Sequence, residues 1–141
     1  MKHVILVSHG TFAPGLHNAL NMLAGAKKEE LKSTSLLDGM GIDIFENNFI
    51  TLVKDITEND KIVLLADIIG GSPMTTALNV LTEKGLIKNT VAFGGMNLSM
   101  GLTAVLEDGN DTEALKKAIL GEALESVAEF KFDFSDEEEE I

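Results

Sequence analysis

The chain has 141 residues, 45% hydrophobic and 24% charged, with a formal net charge of −12. That balance fits one soluble globular domain and argues against nucleic acid or an anionic membrane surface as partner, since both need a basic footprint. There is no cysteine, so a disulfide framework, a thiolate metal site and a cysteine nucleophile are excluded.

The first apolar run, Val4-Ile5-Leu6-Val7, reads as a strand buried on both faces. It is too short for a signal-peptide core, and no window approaches a membrane span. The expectation is a cytoplasmic protein with no direct membrane insertion. Ser8-His9-Gly10 ends the strand. Ala13 to Leu23 then sets Leu16, Ala19, Leu20 and Leu23 on one helical stripe. A weaker strand follows near Ser33 to Leu37, and Ile42 to Ile56 again has helical spacing.

Ile62-Val63-Leu64-Leu65-Ala66 is a second doubly buried strand, closed by Asp67. Gly70-Gly71 make a turn. Ser72 suits a helix N-cap and Pro73 a first helical position, opening a helix through about Glu83. Thr90 to Phe93 is the fourth strand, closed by Gly94-Gly95. Asn97 to Leu106 and Thr112 to Val127 are helices. Phe130 to Phe134 alternates strictly, the period of a half-buried edge strand.

Repeated βα units predict an α/β fold: three layers, α/β/α, around a mainly parallel sheet in the order 2-1-3-4. The C-terminal antiparallel edge strand would be added to it. Residues 1–134 form the domain, and 135–141 are an acidic tail with five consecutive negative charges, Asp136 to Glu140. A run of that kind is ordinarily solvated.

In such sheets the site lies beyond the carboxyl ends of the strands, where strand order reverses. That point falls between the first and third strands and brings His9 beside Asp67, since neighbouring strands run about 4.8 Å apart. A carboxylate that takes a hydrogen bond from one ring nitrogen leaves the other as a nucleophile. Gly70, Gly71 and the helix start at Ser72 would offer backbone amides to a phosphoryl group. Every basic residue is lysine, so no guanidinium fork is available for that task. Gly94-Gly95 could supply another amide-lined turn. His3 is expected at the exposed start of its strand, His17 on the surface or facing a partner, and the methionines in the core.

Three stretches carry a family resemblance: residues 4–10 (Val4 to Gly10), 67–73 (Asp67 to Pro73) and 95–100 (Gly95 to Met100). They resemble the signature stretches of mannose-family IIA proteins of the phosphoenolpyruvate-dependent sugar phosphotransferase system, in order and spacing. The resemblance implies that His9 accepts a phosphoryl group from the carrier protein HPr and passes it to a IIB component. IIB then phosphorylates sugar brought in by membrane components IIC and IID. It further implies Asp67 as the orienting carboxylate, Gly70, Gly71 and Ser72 as the phosphate-contacting loop, and Nε2 as the phosphorylated nitrogen. Neither metal nor cofactor is implied. A homodimer is implied in which the last strand crosses to the partner's sheet. Ile69 stands where members usually carry an aromatic residue.

Three other readings share parts of this pattern. The phosphocarrier subunit of a dihydroxyacetone kinase has the histidine position but a shorter stretch after the third strand. A regulatory phospho-domain would signal sugar supply rather than serve transport. A flavodoxin-type nucleotide module would need a fuller phosphate loop than Ser8-His9-Gly10-Thr11.

Overall fold

The computed structural model describes residues 1–25 and 30–134. The acidic tail, 135–141, lies outside the described residues. The elements are β1 (Lys2–His9), α1 (Phe12–Ala24), β2 (Leu31–Leu36), α2 (Ile42–Leu52), β3 (Lys61–Ala66), α3 (Ser72–Glu83), β4 (Thr90–Phe93), α4 (Leu98–Leu106) and α5 (Thr112–Glu125). The four strands form one parallel sheet in the order β2-β1-β3-β4.

Alternation along β1 assigns its side chains to two cores. Val4 and Leu6 pack with α1, α4 and α5 through Leu16, Leu20, Met100, Val105 and Ile119. Ile5 and Val7 pack with α2 and α3 through Phe45, Phe49, Ala77 and Leu81. Successive strand residues point to opposite faces. Ser8 therefore falls on the α1 side, where its buried Oγ accepts a hydrogen bond from the Ala13 amide at 2.7 Å. His9 falls on the α3 side. Gly101 lets α4 approach α1, since a Cβ there would meet Leu20 Cδ1 at 2.7 Å.

The structure corrects several expectations. The sheet ends at β4: residues 127–134 join no ladder. Alternation prepares a segment for pairing, but a strand exists only where a neighbour supplies its hydrogen bonds. Phe130, Phe132 and Phe134 are exposed and pack on one another instead, Phe130 edge-on to Phe132 and Phe132 stacked on Phe134. Helix α2 stops at Leu52, not Ile56. The chain tightens into turns there, with Ile56 N–H donating to the Val53 carbonyl, yet Val53 and Ile56 still reach the core.

Of the methionines, Met74, Met96 and Met100 are core residues, whereas Met1 and Met22 are exposed. His3 is buried because β1 is flanked on both sides, and its Nε2 lies 3.6 Å from Asp60 Oδ2. His17 is partly buried and shares a 2.7 Å hydrogen bond with Ser33 Oγ.

Burial pushes His3 down from the usual histidine range. Asp60 opposes this, while Lys32 and the terminal ammonium reinforce it. Burial lowers His17 as well. Their folded pKa values thus lie below the unfolded value near 6.5, so the unfolded chain takes up protons first as pH falls. The stability these neutral rings carry is complete above about pH 6.5 and declines below it. The urea midpoint is expected to fall between pH 7.5 and 5.5, and His3→Leu should flatten that slope. An unchanged slope in the variant would remove His3 from the account.

Candidate active site

His9 is the last residue of β1, and Asp67 directly follows β3, 58 positions away. The Asp67 carboxylate continues the sheet where the backbones part. Its Oδ2 accepts the His9 amide at 2.9 Å and meets His9 Nδ1 at 2.8 Å, and its Oδ1 accepts the Ile68 amide at 2.9 Å. The carboxylate is 11% exposed and the imidazole 46%.

Burial by itself would raise Asp67. The hydrogen bonds from the His9 amide, the His9 ring and the Ile68 amide, with the charge of the ring, outweigh it and hold the carboxyl below the usual aspartate range. An ionised carboxylate has only acceptors, so Nδ1 carries the proton in this contact. In the neutral ring Nε2 is then left with its lone pair.

The third side of the ring is Gly71. A Cβ on Gly71 would sit 3.3 Å from His9 Cε1, so the bare backbone lets the imidazole lie against the start of α3. Gly70, at φ +76°, turns the chain there. The helix begins one residue earlier than the sequence suggests. Gly71 is the N-cap, Ser72 the first helical residue and Pro73 the second, and no side chain caps the end. Among the described residues the amides of Ser72 and Met74 have no acceptor. They are orphan donors at the positive end of a twelve-residue helix.

The Gly95 amide of the Gly94-Gly95 turn, and the Met96 amide after it, are not free. Gly95 N–H donates to the Asp67 carbonyl at 3.1 Å, and Met96 N–H to the Ala66 carbonyl at 2.9 Å. The turn braces the loop after β3 instead. A Cβ on Gly94 would meet the Ile69 backbone at 2.6 Å, a contact that no local motif announces. Asn97 caps α4 by accepting the Met100 amide at 2.8 Å, and its amide group reaches the Ala123 carbonyl at the end of α5.

Phe12, Ile68, Ile69 and Leu98, all exposed, belong to the segments that leave β1, β3 and β4 at this same end of the sheet. A cleft of about 270 Å³, lined by Lys61, Ile62, Asn89, Thr90, Thr112 and Leu115 among others, opens at the opposite end, away from His9. Among the described residues no group of three or more histidine and carboxylate side chains could hold a metal ion. Among them, too, no helix is long and apolar enough to cross a membrane.

Residues 3–120 match the family model described as EIIA-man, PTS system fructose IIA component. The chain is 30% identical over 83 residues to the PTS system fructose-specific EIIA component of Bacillus subtilis (strain 168). That match covers 59% of this chain and 56% of the Bacillus protein, so only about half of the relative's length is spanned. The crystal structure of the phosphotransferase system component EIIA from Streptococcus agalactiae superposes with a TM-score of 0.76 at 26% identity. The superposition covers 96% of this chain and 99% of that one. The mannose/sorbose specific IIA subunit from Enterococcus faecalis shares the fold, with a TM-score of 0.80 at 21% identity over 94% and 98% of the two chains.

Proposed function

The chain belongs to the EIIA-man family of phosphotransferase-system IIA components, and from that premise we propose that it carries a phosphoryl group on His9 Nε2. The observation behind this reading is the 2.8 Å contact between His9 Nδ1 and Asp67 Oδ2, which fixes the ring's proton on Nδ1 and leaves Nε2 as the nucleophile.

The Nε2 lone pair attacks the phosphorus of phospho-HPr. A new N–P bond forms, the donor's N–P bond breaks, and its electron pair returns to the donor ring. His9 then holds the phosphoryl group with Nδ1 still protonated, and Asp67 offsets the charge on the ring. The Ser72 and Met74 amides, next to the Gly70–Gly71 turn, suit the phosphoryl oxygens without help from arginine. A IIB histidine repeats the attack from the same side, and the group leaves as it came. The exposed apolar collar of Phe12, Ile68, Ile69 and Leu98 suits docked protein domains rather than a small phosphate donor.

In this reading HPr and IIB are the direct partners, in the cytoplasm, and IIC and IID are reached through IIB. The sugar is chosen by those components and not by this chain. Incubation with phosphoenolpyruvate, enzyme I and HPr is expected to add one acid-labile phosphate per chain. A wild-type chain that takes no label would refute the reading.

The same proposal includes a homodimer. β4 is one of the two outer strands of the sheet, and Phe130, Phe132 and Phe134 form an exposed strip of rings in mutual contact that could pair with such an edge in a second copy. Sedimentation should show a dimer for the full chain and a monomer for a chain ending at residue 127. A truncated dimer would show that the strip is not the joint.

A further inference from the structure

Two side chains in the first turn of α3 grip Gly70 at both of its peptide groups. Its amide donates to Met74 Sδ at 3.3 Å, and its carbonyl accepts from Thr75 Oγ1 at 3.3 Å. Met74 is buried in the core beneath α3, whereas Thr75 is exposed. The two peptide groups they hold, Ile69–Gly70 and Gly70–Gly71, flank the rotations of Gly70. Gly70 and Gly71 lack the Cβ that would narrow their conformations, and Gly71 lies beside the His9 ring, close enough that a Cβ there would come within 3.3 Å of Cε1.

We propose that Met74 and Thr75 are positioning residues. Together they lock the Gly70–Gly71 turn against the imidazole and so aim Nε2. The inference rests on the phosphohistidine reading for its functional consequence, but its structural content stands apart. With either grip removed, the glycine turn gains freedom and the ring loses a fixed wall. Misalignment by an ångström is enough to slow a transfer between two oriented groups.

Thr75→Val removes the hydroxyl from an exposed position with little change in shape. Met74→Leu removes the sulfur acceptor and keeps a similar apolar volume. Thr75→Ser retains the hydroxyl. Each full-length variant would be followed in two ways: by the His9 Cε1–H resonance, and by single-turnover transfer from phospho-HPr. Thr75→Val and Met74→Leu are each expected to displace the resonance and slow transfer about fivefold, the worth of one modest hydrogen bond. Thr75→Ser should restore both, and in every variant the thermal midpoint should stay within about 5 °C of wild type.

The proposal is overturned if resonance and rate stay at wild-type values, if serine fails to restore them, or if the rate falls only as far as the protein unfolds. Failure of the phosphohistidine reading looks different, because wild type then takes no label. In that event the resonance decides: a displacement that serine reverses supports the clamp, and an unmoved resonance rejects it.

Discussion

His9→Ala is expected to abolish phosphoryl transfer while leaving the fold intact. The imidazole is nearly half exposed, and among the described residues its one polar contact is Asp67. Removing it leaves the amide of position 9 in place, so the Asp67 carboxylate keeps that hydrogen bond and the one from Ile68. The buried run from Val4 to Ser8 that anchors the strand is untouched. No other group in the described site offers a nucleophile held by a carboxylate in this way. Labelling through enzyme I and HPr should therefore fall to background, with the circular dichroism spectrum and urea midpoint retained. A variant labelled as strongly as wild type would move the phosphate off His9.

The second large effect is expected at Asp67→Asn, for a reason that follows from counting donors. The carboxylate accepts three hydrogen bonds: two on Oδ2 from His9 and one on Oδ1 from Ile68. Asparagine has one acceptor oxygen and one donor group. If its oxygen serves His9, its NH2 faces the Ile68 amide, donor against donor. If it turns over, its NH2 faces the His9 amide and asks the ring to accept at Nδ1. The proton would then sit on Nε2 and block the nucleophile.

Either placement also withdraws the negative charge that offsets a phosphorylated ring. Transfer is expected to slow by about a hundredfold, within the range that a positioned proton-managing group contributes. Stability should fall too, by about 1 kcal/mol for the hydrogen bond lost at this exposed position. The Asp67 carboxyl is held low, so its stabilising share is present above the unfolded aspartate value near pH 4. That share is lost as pH falls through the lower folded value. Single-turnover rates and acid titration of stability check the two parts separately. Wild-type rates in the variant would take the carboxylate out of the chemistry.

Much of this architecture can be read from residues alone, and the reason is periodicity. Continuous apolar runs mark β1 and β3 as strands covered on both faces, and βα repetition orders the sheet. From that order alone, His9 and Asp67 come to one rim. What could not be read was decided by neighbours distant in sequence. The helical spacing of Val53 and Ile56 is genuine, but the chain satisfies it with turns beyond α2. Ser8 looks like part of the signature turn, whereas it serves as an acceptor for the start of α1.

His3 reads as a polar residue at a strand's beginning, which is usually wet. A central strand has no wet beginning when flanking elements close over it. Gly94 carries no sign of the Ile69 backbone it accommodates. The alternating phenylalanines show the limit most plainly: a pattern can state which faces a strand would have, but not whether a second ladder partner stands beside it.

The order of strands across the sheet differs from the order of their synthesis. β1 is made before any other strand, yet it lies between β2 and β3. Its imidazole therefore waits, without a carboxylate, until the ribosome has passed position 67, and the glycine wall arrives only a few codons later. A growing chain halted earlier would leave the apolar run of β1 without one of its two neighbours and would lack the reactive pair.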